Sequence, residues 1–514
     1  MNRFLKNVLS NWAGMAVGMA TAFFMSPFLV HRLGDHQYGL WVLIISVTGY
    51  MGLLDVGLKV SVVKYVSQLS ATRDFEGLNR VASTALAIYG GVGLLIVLIT
   101  VVIERFFSRL FAIQGSDADT ARVVLLLAGI NVAATLVVSI PGGVLAGLQR
   151  YDLSSAAGIK TLVFRTLAIV ALVSAGFGIA ALALVHLCSQ VLNGVLTWRS
   201  ARLECPTLRL ERRLMSLETA KQLWSYSAFV LVNNVGRVLL FGSSEVVVGS
   251  LLGTVAVTYY AISGTVAQYM QQIVVTMAQV LHPHAAAQHA KGSTEGLRSA
   301  ALMGTRLSLL VGLPITVTVV VLGERFISLW MGPEYGRIAG PLLTLLTLAR
   351  LVHLSQAGSY EVLLGMSRHR VPTTLNLVAG VLSVAGSLLF GRWYGLTGVA
   401  VGGAIPILVL HGAVQPWYTN RSLDISWRTY LWRSVLPPLA AAIPYALVLF
   451  AVVRMKPPES LVTLALTVAG TLPVFGIAGL FLCFDAEHRS NLSLGLLKRP
   501  AARASGVAGG SDNG

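Results

Sequence analysis

The stretch LSNWAGMAVGMATAFFMSPFLVH, residues 9–31, decides the fold, because similar apolar runs recur about fourteen times along the chain. Only 11% of the residues are charged, 55% are hydrophobic, and the mean hydropathy is +0.74. In lipid, a helix is the element that satisfies its own backbone hydrogen bonds, and about 20 apolar residues are enough to span the bilayer. The sequence therefore predicts an all-α, multi-pass membrane protein.

The apolar runs set the boundaries of about fourteen predicted transmembrane helices, whose connections are short. The first run is too long for a cleavable signal peptide and is expected to be the first span. Short connections leave no room for a soluble catalytic module, so the chain is not expected to be an enzyme. The predicted helices cover residues 9–31, 38–66, 81–103, 121–148, 152–174, 178–199, 222–247, 253–281, 299–322, 338–365, 371–391, 396–416, 434–453 and 460–483.

The net charge of +17 indicates orientation rather than nucleic-acid binding, because Lys and Arg are enriched in cytoplasmic loops. With the N-terminus inside, 24 of the 38 basic residues fall at cytoplasmic segments and helix ends, 9 at external ones, and the remaining 5 inside helices. This distribution predicts that both termini are cytoplasmic and that no nucleic acid is a partner.

Cofactor chemistry is not indicated anywhere in the sequence. Cys188, Cys205 and Cys483 are spaced for neither a disulfide framework nor a metal site, and no P-loop pattern occurs. We therefore predict no metal and no cofactor, and no direct use of ATP. The end of the chain, residues 485–514, is a cytoplasmic tail rich in Gly, Ala and Ser that we expect to be disordered.

Two halves of the chain resemble each other at a nearly constant offset. The matching pairs lie 218 to 220 residues apart and are Leu33-Gly34 with Leu252-Gly253, Tyr50-Met51 with Tyr269-Met270, Val144-Leu145 with Val362-Leu363, and Gly178-Ile179-Ala180 with Gly398-Val399-Ala400. The repeat unit is predicted helices 1–6, copied as helices 7–12. Six is an even number, so both copies have the same orientation, and parallel repeats of this kind form two bundles around a central cleft in transporters.

The duplication defines the predicted organisation. The sequence predicts an N-lobe, a basic cytoplasmic linker, a C-lobe, two further helices and the tail, over residues 1–199, 200–221, 222–417, 418–484 and 485–514.

Several motifs resemble a known family. Arg32-Leu33-Gly34, Tyr38-Gly39-Leu40-Trp41 and Leu53-Leu54-Asp55-Val56-Gly57-Leu58 resemble the opening of bacterial Wzx-type polysaccharide flippases of the multidrug/oligosaccharidyl-lipid/polysaccharide exporter superfamily. The Gly-Leu-x-Arg turn from Gly147 to Arg150 and the six-plus-six repeat are similar to that family too. The resemblance covers most of the chain.

The resemblance implies a function, a set of partners and a location. The expected function is flipping of an undecaprenyl-pyrophosphate-linked oligosaccharide from the cytoplasmic to the periplasmic leaflet for surface polysaccharide (O-antigen or exopolysaccharide) synthesis. The expected partners are that lipid-linked oligosaccharide, membrane lipids, and polysaccharide polymerase and export proteins. The expected location is the bacterial inner (plasma) membrane.

Basic residues inside predicted helices are the candidate substrate-binding residues, because ionisable groups in a membrane usually face a cavity or a partner. Arg237 lies roughly 22 Å along predicted helix 7, and Arg350 and Arg165 are similarly central. Lys59 and Arg306 lie nearer the cytoplasmic ends. A guanidinium group can bind two phosphate oxygens at once, so these residues predict a cationic cleft for a pyrophosphate or an acidic sugar, with internal ion pairs as the alternative.

The candidate ion-coupling residues are Glu361, Asp55 and Glu245, with Glu361 predicted to matter more than Glu245 because it lies further from its helix end. Asp55 and Lys59 are spaced i, i+4 and are expected to form a structural or gating pair. For Glu245 the alternative is simple solvation at the external interface. His186 and His411 are either proton carriers or hydrogen-bonded structural residues.

Competing functions are separated by charge and loop length. A drug/cation antiporter of the same superfamily would want a cleft dominated by carboxylates, whereas the central positions here favour Arg. A lipid II flippase shares the architecture, although the Tyr38-Gly39-Leu40-Trp41 segment favours the polysaccharide group. A polytopic polymerase or glycosyltransferase would need a large catalytic loop.

The basic segment 199–221 is either a lipid-headgroup contact or a hydrophilic linker.

Overall fold

The computed structural model describes residues 3–55 and 57–484, in which every regular element is a helix. The predicted tail lies outside the described residues. The α-helices are α1 (Arg3–Leu33), α2 (Asp35–Met51), α3 (Leu58–Ala71), α4 (Phe75–Leu110), α5 (Ser116–Gly147), α6 (Tyr151–Ser174), α7 (Ile179–Glu204), α8 (Leu217–Phe241), α9 (Ser244–Leu252), α10 (Thr254–Ala278), α11 (Leu281–Ala290), α12 (Thr294–Met331), α13 (Pro333–Ser355), α14 (Ala357–Gly365), α15 (Arg370–Val409), α16 (Gln415–Leu423), α17 (Trp427–Tyr430), α18 (Leu436–Met455) and α19 (Leu461–Cys483).

The prediction of a multi-pass helical protein is confirmed, while the count of fourteen spans stays a prediction. Within the described residues, eleven helical segments are long and apolar enough to cross a membrane, or twelve if the bent pair Val232–Phe241 and Ser244–Leu252 is one span. Two features account for the difference. The segment Arg370–Leu423 counts once, although its backbone leaves helical geometry at Gly395 (φ 58°, ψ −139°). Helix α10 is not among the apolar spans, and it carries several glutamines.

The second predicted helix, residues 38–66, is interrupted rather than continuous, so that prediction is wrong at its centre. Helix α2 ends at Met51, a short 3-10 turn covers Gly52–Leu54, and α3 begins at Leu58. Gly57 has a φ of +72°, in the left-handed region that glycine adopts without steric cost. Asp55 therefore lies in the break, and it does not share a regular helix with Lys59.

The turns of the two halves repeat, which supports the inferred duplication. Five positive-φ residues in the first half recur 217 to 219 positions later, namely Gly34 with Gly253, Arg73 with Gly292, Gly115 with Gly332, Gln149 with Ser367, and Gly176 with Gly395. The caps recur as well. The side chains of Asp74 and Ser293 accept hydrogen bonds from the backbone N–H of Gly77 and Gly296. Helix ends of this kind are set by local chemistry, and their recurrence agrees with the predicted repeat, which stays a prediction.

Helices α1–α7 pack mainly among themselves, and so do α8–α16, which agrees with the predicted N-lobe and C-lobe; the two groups meet mainly where α2 packs against α10. Gly39 permits this contact, because a Cβ atom built there would lie 1.9 Å from the carbonyl oxygen of Thr254. Helices α18 and α19 pack against each other and against α12, outside both lobes.

Polar contacts reinforce the join between the lobes at its predicted external end. Thr258 Oγ1 donates to the carbonyl oxygen of Asp35 at 2.7 Å, and Thr254 Oγ1 lies 2.8 Å from Nδ1 of His36. The indole of Trp330 donates to the carbonyl oxygen of Phe23 at 2.9 Å. These contacts hold the two lobes together on one side of the protein.

Candidate functional site

A polar cavity lies among the helices of the C-lobe, in two chambers that share Arg237, Gln268 and Gln271. We call it the C-lobe cavity. The inner chamber, about 470 Å³, extends to Glu361 on α14 and lies towards the predicted cytoplasmic side. The outer chamber, about 380 Å³, extends to residues at the start of α2. A ligand in this cavity would contact C-lobe residues first and the N-lobe through α2.

Two of the predicted substrate-binding residues line the C-lobe cavity. Arg237 on α8 is exposed and lines both chambers, and Arg350 on α13 lines the outer chamber. The guanidinium of Arg350 lies 4.7 Å from the ring centre of Phe241 and donates a hydrogen bond to Oε1 of Gln271. A guanidinium has five N–H donors, so both side chains can bind an anionic ligand as well as their protein neighbours.

Two of the predicted ion-coupling residues also line the cavity, one in each chamber. Glu245 on α9 lines the outer chamber with Arg350, and its buried Oε2 has no hydrogen-bond partner among the described residues. Glu361 in the inner chamber is buried, with Oε2 at 3.5 Å from Nδ1 of His282. With both carboxylates ionised, the two arginines are balanced, so protonation of either carboxylate would leave the cavity net positive.

Uncharged polar side chains complete the lining and explain the low hydropathy of α10. Gln268, Gln271 and Gln272 lie within five residues of one another on α10, and all three line the inner chamber. Asn376 on α15 faces the same chamber and donates to Oδ1 of Asn233 at 3.4 Å. Amides offer both donors and acceptors, which suits sugar hydroxyl groups.

Three histidines lie at or near the inner chamber, and only one of them, His411, is a candidate from the sequence. His353 lines the chamber, and its ring centre lies 4.4 Å from that of His411. His411 in turn contacts Oε1 of Gln415 at 2.7 Å, so it has the hydrogen bond expected of a structural histidine. Sequence reasoning missed His353, although its i, i+3 spacing from Arg350 places both on one helix face. Sequence reasoning also missed His282, because its position along its helix does not relate it to any predicted site residue.

The other predicted site residues do not line the C-lobe cavity. Arg306 on α12 donates to the carbonyl oxygens of Arg433 and Cys483, both at 2.6 Å, and so joins α12 to the C-terminal helices. Arg165 is partly buried in α6 of the N-lobe, and Lys59 is exposed on α3. Asp55 accepts a hydrogen bond from the hydroxyl of Tyr89. The part of the chain that the structure describes shows no Asp55–Lys59 ion pair. A transport role for Arg306, Arg165, Lys59 and Asp55 stays a prediction.

Many apolar helices, two lobes and a polar intramembrane cavity define a multi-pass membrane protein with the architecture of a transporter. Residues 29–339 match the model of a family described as polysaccharide biosynthesis protein. That match covers more than half of the chain, and the chain belongs to this family. The resemblance to polysaccharide biosynthesis proteins drawn from the sequence is thereby confirmed.

Individual relatives are similar over nearly their whole length. An uncharacterized membrane protein EpsK of Bacillus subtilis (strain 168) is 25% identical over 496 residues, which is 95% of this chain and 97% of the relative. A putative O-antigen transporter of Shigella flexneri is 19% identical over 434 residues, which is 82% of this chain and 99% of the relative.

Solved structures show the same fold at low sequence identity. The lipid II flippase MurJ in an inward closed conformation gives a TM-score of 0.69 at 12% identity, covering 96% of this chain and 99% of that one. An inward-facing multidrug resistance MATE family transporter of the MOP superfamily gives a TM-score of 0.67 at 15% identity, covering 81% of this chain and 98% of that one.

Proposed function

We propose that the protein is an alternating-access flippase that moves an undecaprenyl-pyrophosphate-linked oligosaccharide from the cytoplasmic to the periplasmic leaflet of the bacterial inner membrane. The observation that carries this proposal is the position of Arg237 and Arg350 in one polar cavity within the membrane-spanning bundle. Charge-assisted hydrogen bonds from guanidinium groups suit a pyrophosphate, and the neighbouring amides suit the sugars.

The lobe contacts indicate how access would alternate. Thr254, Thr258 and Trp330 hold the lobes together at the predicted external end, whereas the inner chamber extends towards the predicted cytoplasmic end. This arrangement suits loading of the lipid-linked substrate from the cytoplasmic leaflet. Rocking of the lobes would break the external contacts and expose the outer chamber to the other side.

The energy would come from a proton gradient, since protonation of a cavity carboxylate changes the net charge that the anionic head group meets. Position along the predicted helices favours Glu361 over Glu245 as the ion-coupling residue. The structure supports the opposite order, because Glu245 shares the outer chamber with both arginines and has a buried carboxylate oxygen without a partner among the described residues. We therefore propose Glu245 as the first proton-coupling residue, with Glu361 as the second.

The test is complementation of a strain that lacks this protein, with surface polysaccharide as the readout. Arg237→Ala and Arg350→Ala should abolish polymer production while the protein remains folded and inserted. Arg→Lys should restore only part of the activity, because an ammonium lacks the fork geometry of a guanidinium. Arg392→Ala is the matched control, since Arg392 is exposed and lies outside the cavity. Normal polymer from the double alanine variant would remove both arginines from the mechanism.

A further inference from the structure

A second cavity, about 730 Å³, lies in the N-lobe and is almost wholly apolar. Helix α5 forms its floor, and α4 and α7 form its walls. We call it the N-lobe groove. None of the residues that line it comes from α2, α3 or the C-lobe, so it is distinct from the C-lobe cavity. Leu94 and Val195 on its walls are more than half exposed.

Small residues create this groove. Gly90, Gly93 and Gly194 line it together with Ala133 and Ala134, and Gly93 and Gly194 allow α4 and α7 to pack closely against Ala133 and Val138 of α5. At Gly90 an added Cβ atom would meet no atom within 4 Å, so the surface there is open rather than packed. All three helices are among the candidate membrane spans, so the exposed apolar walls face lipid rather than water. The space is therefore accessible to hydrocarbon chains.

The depth of the groove matches one leaflet. Its floor runs from Ile130 to Pro141, which is about 16 Å along α5 at 1.5 Å per residue. Half of the hydrocarbon core of a bilayer is about 15 Å. The groove ends at Trp198, next to the predicted cytoplasmic linker, and at Leu210 within that linker. An acyl chain of the cytoplasmic leaflet would therefore fit along its length.

The mouth of the groove is basic and held in place. The guanidinium of Arg202 lies 4.9 Å from the ring centre of Trp198, and exposed Arg209 is next to Leu210. The linker is tied to α4 because Asn79 donates to the carbonyl oxygen of Thr207 at 2.8 Å and accepts from the backbone N–H of Arg209 at 3.0 Å.

Two further bonds continue this attachment. The backbone N–H groups of Glu211 and Ser216 donate to Ser83 and Thr84 at 3.1 and 3.2 Å. The basic residues of the linker are therefore fixed beside the groove, rather than carried on a loose connection.

We propose that the N-lobe groove is a binding site for one anionic phospholipid of the cytoplasmic leaflet, with an acyl chain in the groove and the phosphate at Arg202 and Arg209. The apolar lining would retain the acyl chain, and the basic residues at the mouth would select an anionic head group. The groove would bind a membrane lipid rather than the flipped substrate, so this proposal does not depend on the proposed function.

Native mass spectrometry of the full chain, with defined lipids added, tests this proposal. The wild-type protein should retain one anionic phospholipid in preference to a zwitterionic one with the same acyl chains. Arg202→Gln with Arg209→Gln should reduce that preference about 25-fold, since each basic group near an anionic head group contributes roughly fivefold. Arg421→Gln is the matched control, because Arg421 also stacks on a tryptophan, Trp417, but in the C-lobe.

The groove itself is tested by filling it. Gly90→Phe should abolish retention, whereas Gly91→Phe should not, because Gly91 is equally open but does not line the groove. A phospholipid with a diazirine in its acyl chain should cross-link to residues 86–97, 130–141 and 191–198 of the unmodified protein, which covers the case in which a variant fails to fold. Equal retention of both lipid types, or cross-links confined to other helices, would overturn the proposal. So would displacement of the phospholipid by an equimolar polyprenyl phosphate, which would assign the groove to the substrate tail.

Discussion

Replacing Gly39 by alanine should force the two lobes apart at their external end. The added Cβ atom would lie 1.9 Å from the carbonyl oxygen of Thr254 and 2.8 Å from Oγ1 of Thr258. Ordinary contact requires about 3.5 Å, so α2 must move away from α10 by about 1.5 Å. The 2.7 Å hydrogen bond from Thr258 to the carbonyl oxygen of Asp35 would then stretch to about 4 Å and be lost.

The energetic cost of this change follows from the same contacts. Overpacking costs about 1–3 kcal/mol, and each of the two lost hydrogen bonds, from Thr258 and Thr254, adds about 1 kcal/mol. A total of about 3–5 kcal/mol would shift the balance between closed and open forms at this end by more than a hundredfold.

Distances between spin labels at residues 116 and 338, one in each lobe near the external end, measure the effect in nanodiscs. The three native cysteines are first replaced. Gly39→Ala should lengthen the inter-label distance. Gly49→Ala is the control, because Gly49 lies on the same helix and an added Cβ atom there meets nothing within 4 Å. Unchanged distances in Gly39→Ala would show that α2 and α10 do not hold the lobes closed.

Three further predictions concern orientation, the C-terminal helices and proton coupling. Reporter fusions should place residues 200–221 in the cytoplasm and 104–120 outside, and the reverse would refute the topology. Arg306→Ala should lower the free energy of unfolding by about 2–4 kcal/mol, because two charge-assisted hydrogen bonds are lost, and an unchanged thermal stability would contradict this. In proteoliposomes, Glu245→Gln should make flipping insensitive to an imposed pH gradient and Glu361→Gln should do so less, whereas a wild-type gradient response in both variants would remove them as carriers.

The sequence predicts the helices well because bilayer thickness and backbone hydrogen bonding leave few alternatives for long apolar runs. It does not predict the break between Met51 and Leu58, because hydropathy averaged over residues 38–66 does not register the backbone effect of Gly52 and Gly57. The sequence does predict α10, as residues 253–281, although its glutamines, which line a cavity, lower the apolar average.

The candidate site is predicted only in part. Depth along the predicted helices singles out Arg237 and Arg350, and the structure places both at the C-lobe cavity. The same criterion selects Arg165, which lies in the N-lobe outside that cavity, while Arg306, nearer its helix end, bonds to carbonyl oxygens more than 120 residues away in sequence. Spacing along one helix cannot reveal such partners, and it cannot place His282 beside Glu361 either.

The most direct test of the central claim is a flipping assay in proteoliposomes with a synthetic polyprenyl-pyrophosphate-linked oligosaccharide and a neutral glycolipid of the same chain length. The wild-type protein should flip the pyrophosphate-linked lipid in preference, and Arg237→Ala with Arg350→Ala should lower this rate by at least about 10-fold, while Arg392→Ala should not. Equal rates for the double alanine variant and the wild type, or equal rates for both lipids, would show that the cavity arginines do not recognise a pyrophosphate.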